Sequence, residues 1–262
     1  MKLQPHPKTT YVAHHPDDQG YVTYTDAETL VWQTLINRQI DIVKPRACEE
    51  YLEGLKILQL SHTQAPQCPD ISRLLMKATH FKVRPVPSLI PDTEFFSLLA
   101  QREFPAATFV RHVDELDYLK EPDLFHEIFG HCPMLTHKPY ADFTQKYGEI
   151  ALNSTAEERK YLARLYWFTV EFGLINTKNG IKIYGGGILS SKNETIYATD
   201  SKKPKRVPFS VLDCLRTPYR IDILQPIYFV IDDFNELFEL VTIDIHHYIH
   251  EANRLGEYPP LY

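Results

Sequence analysis

The sequence predicts a mainly α-helical fold with a small β component, packed as one compact domain. Apolar residues recur at helical spacing along much of the chain, twice directly behind a Thr-x-x-Glu capping box, at Thr25 to Glu28 and at Thr155 to Glu158. Runs of β-branched and aromatic residues are short and broken by Gly and Pro. The bulk numbers agree: 262 residues, 44% hydrophobic and 24% charged, is the make-up of a globular chain, and no repeat or low-complexity tract interrupts it.

Residues 1–24 carry His, Pro, Asp and Gly without periodicity and read as an irregular arm lying on the domain. Behind Thr25, the spacing of Leu30, Leu35, Ile36, Ile40 and Val43 predicts a helix that ends at Pro45. A second helix is expected over 46–60, and Asp70 caps a third that closes before Pro85. From Arg84 to Pro91, three prolines remove donors and bar their predecessors from helix, so the segment reads as a rigid loop. Asp92 then caps a helix through Phe95, Phe96, Leu98 and Leu99, Thr108-Phe109-Val110 reads as a short extended piece, and Pro122-Asp123 opens the next helix. The helix behind Thr155 is aromatic, with Tyr161, Tyr166, Trp167, Phe168 and Phe172, and runs to Gly173. Ile181 to Tyr184, Thr195 to Tyr197 and Ile221 to Ile231 read as strands, and a long helix from Asp232 to Leu255 follows.

A net charge of -6 and a pI near 6.1 argue against a nucleic-acid partner, which needs an excess of Lys and Arg. The run Lys202-Lys203-Pro204-Lys205-Arg206 reads as a solvated loop. There is no apolar run long enough for a bilayer, and Met1 to Pro7 lacks the apolar core of a signal peptide, so a cytoplasmic protein without a membrane partner is expected. Cys48, Cys68, Cys132 and Cys214 are scattered without a CxxC pair, which predicts no disulfide and no thiolate metal site. A small-molecule partner fits these limits best.

The chemistry concentrates in Pro122-Asp123-Leu124-Phe125-His126-Glu127-Ile128-Phe129-Gly130-His131-Cys132-Pro133. The zinc-protease signature sets its histidines four apart on one helix face, whereas His126 and His131 are five apart, roughly 140° around a regular helix at about 100° per residue. Both can reach one ion if the backbone bends near Gly130. A third ligand is Glu171, a lone carboxylate on the aromatic helix, whose burial without a cation would be costly. Two histidines and one carboxylate suit Fe(II) with open positions for oxygen. Spacing alone leaves other readings open: helix-capping histidines, a Glu171 paired with Arg164, or a zinc-dependent hydrolase.

Three motifs narrow the field. Pro122-Asp123-x-x-His126-Glu127-x-x-Gly130-His131-x-Pro133, Tyr166-Trp167-Phe168-Thr169-Val170-Glu171-Phe172-Gly173 and Tyr184-Gly185-Gly186-Gly187-Ile188-Leu189-Ser190-Ser191 closely resemble, in order and separation, the catalytic core of the tetrahydropterin-dependent aromatic amino acid hydroxylases. The resemblance runs from about Asp26 to the last helix. It implies a single catalytic domain of that type over residues 1–262, acting as a monooxygenase with Fe(II), O₂ and a tetrahydropterin, tetrahydrobiopterin or a relative, as cosubstrate. It is nearest to the compact bacterial branch that turns L-phenylalanine into L-tyrosine. Another aromatic amino acid, Trp or Tyr, is the alternative substrate. The animal members' regulatory domain and tetramerisation helix have no counterpart here, so a monomer is expected.

By the same resemblance His126, His131 and Glu171 hold the iron, and Arg111 clamps the amino acid carboxylate, a role suited to a planar guanidinium. Trp167, expected on the helix face of Glu171, packs on the substrate ring, and Gly187 and Ser190 line the amino acid site. Ser88, Leu89 and Ile90 offer backbone hydrogen bonds to the pterin, Phe95 stacks on it, and Glu127 approaches it. Leu119 departs from the threonine of animal phenylalanine hydroxylases, which puts one polar substrate contact in doubt. Ile221 stands where tyrosine hydroxylases carry an acidic residue and so favours phenylalanine.

Overall fold

The computed structural model describes residues 11–117 and 120–262; the first ten residues of the expected arm, and Leu119, lie outside them. From Tyr11 to Thr25 the chain forms no helix or strand, and then the first capping box closes. Thr25 Oγ1 accepts from the Glu28 N–H while the Glu28 carboxylate takes the Thr25 N–H, starting α1 (Asp26–Val43). This helix buries Val31, Trp32, Leu35, Ile36 and Val43. The next helix, α2 (Glu49–Leu58), begins later than expected because Cys48 first donates its N–H to Ile183 O at 2.9 Å. In α3 (Cys68–Thr79) the cap is Gln67, and Asp70 sits in the first turn.

The proline-rich segment corrects the sequence reading. Arg84, Pro85 and Val86 belong to a strand, β1 (Lys82–Val86), which pairs in parallel with β2 (Glu103–Ala107) across the intervening α4 (Asp92–Ala100). Each strand of this two-stranded sheet has one unpaired edge, so Pro85 and Pro105 can sit where no ladder bond needs their missing donor. Thr108 lies just past β2, its N–H still donating to Val86 O. The irregular loop starts at Pro87.

Beyond the histidine motif come α5 (Lys138–Leu152), which the sequence reading did not foresee, and α6 (Ala156–Tyr166), started by the second capping box. Gly148 brings α5 onto α4: a Cβ there would stand 2.5 Å from Ala100 N and 2.8 Å from Leu99 Cβ. A mixed sheet of order β4-β3-β6-β5 follows, from β3 (Leu174–Thr177), β4 (Gly180–Ile183), β5 (Lys205–Pro208) and β6 (Ile227–Ile231). Between β4 and β5 lie α7 (Gly186–Leu189) and α8 (Lys192–Asp200).

Four more expectations change here. Thr195 to Tyr197 is helical within α8, because Ser191 caps the segment and its local side chain-to-backbone bond outweighs β-branched content. The basic run is not simply a loop: Lys205 and Arg206 lie in β5, and the Arg206 guanidinium donates to Ala198 O and Ser201 O at 2.7 Å, closing the end of α8. The strand expected from Ile221 shortens to β6, leaving a loop behind α9 (Val211–Arg216). The last helix is two, α10 (Asn235–Leu240) and α11 (Ile245–Leu255), with Asp244 capping the second. One continuous apolar core runs through both sheets and the helices around them. The four cysteines are free and buried, and among the described residues no helix is long and apolar enough to cross a membrane.

Candidate metal centre

The five-residue spacing of the histidines is resolved by the winding of the helix itself. His126–His131 form a π-helical turn, whose i to i+5 bonding stacks residues five apart on one face. The departure therefore spans the whole turn and is not a bend at Gly130. Three neighbours hold it. Asp123 Oδ1 accepts from the His126 N–H at 3.0 Å. Pro133 has no N–H for Phe129 O, and the fully buried Tyr51 hydroxyl donates to that carbonyl at 2.7 Å instead. Phe125 and Phe129 stack at 4.8 Å, with Trp32 edge-on to Phe125. Gly130 instead makes room for a neighbour, since a Cβ there would stand 2.6 Å from Gly186 O and its absence lets α7 lie against the turn.

Glu171 ends a second π-helical turn, Trp167–Glu171, which continues α6, and Phe172 donates its N–H to Trp167 O at 2.9 Å. The two turns bring His126, His131 and Glu171 together, with donor atoms within 4.8 Å of one another. His131 Nε2 lies 3.1 Å from His126 Nε2 and 3.3 Å from Glu171 Oε1, and His126 Nε2 lies 3.7 Å from Glu171 Oε2. Arg164 is not the partner of Glu171: it donates to Leu215 O and pairs with Glu257.

Hydrogen bonding sets the state of the ligands. Ser190 Oγ donates to Gly186 O at 2.9 Å, so its oxygen accepts from His126 Nδ1, also at 2.9 Å. That pattern assigns the His126 proton to Nδ1 and turns the Nε2 lone pair toward His131 and Glu171. Burial pushes the His126 imidazolium down to about 4, which keeps the ring neutral and able to ligate. Burial would raise the Glu171 carboxyl, but His131, His126 and the Gly187 N–H outweigh it and hold it below the ordinary carboxylate range. Imidazole lone pairs and a carboxylate facing one another across 3.1–3.7 Å are what a divalent cation satisfies, so the donor set fits iron.

The other residues singled out in the sequence fall around this cluster in different ways. Arg111 is buried in a bidentate pair with Asp123, Nε to Oδ2 at 2.9 Å and Nη2 to Oδ1 at 2.8 Å, which leaves Nη1 outside the pair. Gly187 presses on Glu171, its absent Cβ falling 2.9 Å from Oε2 and 3.1 Å from Phe172 Cε2. Trp167 was expected on the face of Glu171; the π turn aligns it with Phe172 instead, ring centroids 4.4 Å apart, and Tyr219 stacks on it at 4.6 Å. Glu127 is half-buried beside His126, and burial, with Glu171 and Asp123 adding, pushes its carboxyl well up. Phe95 packs edge-on against Tyr166 at 5.5 Å, Ser88 and Ile90 are half-buried, and Leu89 is exposed in the loop before α4. Ile221 lies in a bend, 69% exposed, and not in a strand.

Sequence reasoning missed Asp123 as a working group. It is fully buried, holds Arg111 by two side-chain bonds and its N–H by a third, and fixes the start of the histidine turn. Its place in the sequence was read only as the opening of a helix. Gln225 and Tyr219, which meet Trp167 across the fold, and Glu194, which accepts from the Gln225 N–H, were missed too, because nothing local marks them.

Residues 7–254 match the family model for biopterin-dependent aromatic amino acid hydroxylases. Phenylalanine-4-hydroxylase of Pseudomonas aeruginosa is 53% identical over 254 residues, covering 97% of each chain. The structure of phenylalanine hydroxylase from Legionella pneumophila superposes with a TM-score of 0.94 at 48% identity, covering 96% of this chain and all of that one. Phenylalanine hydroxylase of Chromobacterium violaceum, solved with bound oxidised Fe(III), superposes at 0.88 with 41% identity, covering 93% of this chain and 91% of that one.

Proposed function

Because this chain belongs to the biopterin-dependent aromatic amino acid hydroxylases, we propose that it hydroxylates L-phenylalanine to L-tyrosine, with O₂ and a tetrahydropterin, at one non-haem Fe(II). The observation that carries this reading is the meeting of His126, His131 and Glu171 within 4.8 Å on two π-helical turns. When bound, iron supplies with the tetrahydropterin the activation of O₂.

The side chains of this protein then have distinct roles. His126, His131 and Glu171 would hold the iron, His126 through its neutral Nε2 and Glu171 through its negative charge. Ser190 keeps the His126 proton on Nδ1. Arg111, pre-oriented by Asp123, presents Nη1 to the substrate carboxylate, while Trp167, Gly187 and Phe172 form the wall for its ring. The loop Ser88-Leu89-Ile90, the ring of Phe95 and the carboxyl of Glu127 serve the pterin. Ile221 acts in substrate choice only if its loop folds inward, since it is exposed here. The zinc-dependent hydrolase loses its ground, because the chain belongs to a hydroxylase family and its relatives are phenylalanine hydroxylases.

We read residues 1–262 as one catalytic domain acting as a monomer, which sedimentation velocity tests. Four free, buried thiols suit a reducing compartment and support a cytoplasmic site of action. Iron-loaded protein with tetrahydrobiopterin and oxygen is expected to yield tyrosine from phenylalanine. Absence of any hydroxylated product from Phe, Tyr and Trp alike overturns the reading.

A further inference from the structure

One buried amide holds the aromatic wall beside the ligands. Gln225 is 1% exposed and uses both ends of its side chain. Its Oε1 accepts from Trp167 Nε1 at 3.1 Å, and its Nε2 donates to Arg220 O at 2.9 Å and Ile223 O at 3.0 Å. Its own N–H goes to the buried carboxylate of Glu194 at 3.0 Å, which also accepts from the Tyr228 hydroxyl. Gln225 thereby joins α8, the loop between α9 and β6, and the indole of Trp167. Tyr219, on that loop, stacks on the indole at 24° between planes. The wall abuts the ligand cluster, because Phe172 and Glu171 crowd the same side of Gly187.

We propose that Gln225 is a positioning residue for the aromatic substrate, fixing the indole of Trp167 and, through the Arg220 and Ile223 carbonyls, the loop that carries Tyr219. The proposal rests on the reading of Trp167 as the wall for the substrate ring. A buried amide whose oxygen and nitrogen are both engaged has no other partner to turn to, so the indole is held in one orientation. Such a wall touches the ring equally before and during reaction, so loosening it weakens binding without slowing turnover.

Gln225→Met keeps the volume and removes all three side-chain bonds; Gln225→Asn keeps an amide but withdraws it by one methylene, and serves should the first variant fail to fold. Either should raise KM for L-phenylalanine roughly 5- to 10-fold, the equivalent of one hydrogen bond of ordinary net strength. The turnover number and the KM for tetrahydropterin should stay within about twofold. In a Trp167→Phe background, where the indole N–H is already gone and only the bonds to Arg220 O and Ile223 O remain to be lost, Gln225→Met should add less than it does alone. An unchanged KM, or additive effects in the double variant, overturns the proposal. Trp167 is one of two tryptophans, so difference emission spectra between variant and wild type report its surroundings without turnover. If the wild-type protein makes no tyrosine, the functional reading falls, and an emission shift in Gln225→Met still supports the positioning role while an unshifted spectrum rejects it.

Discussion

Ser190→Ala removes one oxygen beside the metal centre and leaves all three ligand side chains in place, so it isolates what orientation of His126 is worth. In the native chain the serine oxygen accepts from Nδ1 at 2.9 Å while its proton goes to Gly186 O. With alanine, either the buried Nδ1–H loses its partner, at about 1–3 kcal/mol, or the proton moves to Nε2 and blocks the lone pair that faces the ion. Outer-shell partners of ligating histidines are typically worth about 10- to 100-fold in metal affinity, or roughly 1.4–2.8 kcal/mol, which agrees with that cost. The fold loses the bond to Gly186 O and, unless the tautomer shifts, the bond to His126 as well, roughly 1–4 kcal/mol in all, at about 2–4 °C in melting temperature per kcal/mol for a chain of this size. Anaerobic equilibrium dialysis against Fe(II) measures the affinity directly. Ser191→Ala is the control, since the neighbouring hydroxyl caps α8 and faces no ligand in this network. If Ser190→Ala binds iron as tightly as wild type, or if Ser191→Ala weakens binding equally, the orientation argument is wrong.

Asp123→Ala should destabilise the protein by about 3–5 kcal/mol, because it leaves the Arg111 guanidinium buried and unpaired, and urea unfolding with a loss under about 1 kcal/mol would contradict this. Gly148→Ala forces α5 away from α4 and should cost about 1–3 kcal/mol in the same assay, with no change in iron affinity; a neutral result would mean the two helices can slide apart freely. Glu158 predicts a pH effect. The Thr155 N–H and hydroxyl and His246 hold its carboxyl down to about 2 from an ordinary 4.5, so its stabilisation is complete above 4.5 and drains as pH falls toward 2. Glu158→Gln can keep the capping geometry without titrating, so its acid unfolding curve should be flatter between those values; parallel curves would remove Glu158 from the account.

Elements whose cause is local were legible in the sequence. Thr25 with Glu28 and Thr155 with Glu158 start helices where expected, because a capping box is complete within four residues. Elements decided by distant partners were not. Arg84 to Val86 is a strand because β2 lies beside it, and no count of prolines reveals that partner. Thr195 to Tyr197 carries strand-like side chains yet is helical, its start set by Ser191 and its burial by the core. The long last helix breaks at Asp244, which caps a new helix more effectively than it continues the old one.

The site shows the same division. His126, His131 and Glu171 could be chosen from residue type and motif, and their meeting needed only that five residues make one turn. What stayed hidden was how a chain keeps two π turns, whose geometry is less favourable than that of an α-helix. The answer lies in groups that look ordinary in sequence. Asp123 takes the first N–H of the histidine turn, Tyr51 reaches from α2 to the carbonyl that Pro133 cannot serve, and Thr169 donates back to Leu165 O within the second turn. Each supplies a bond for the unusual winding, and two of the three come from outside it. The packed core around the turns therefore supports the ligand geometry, so the hold on an ion there depends on groups that never touch it.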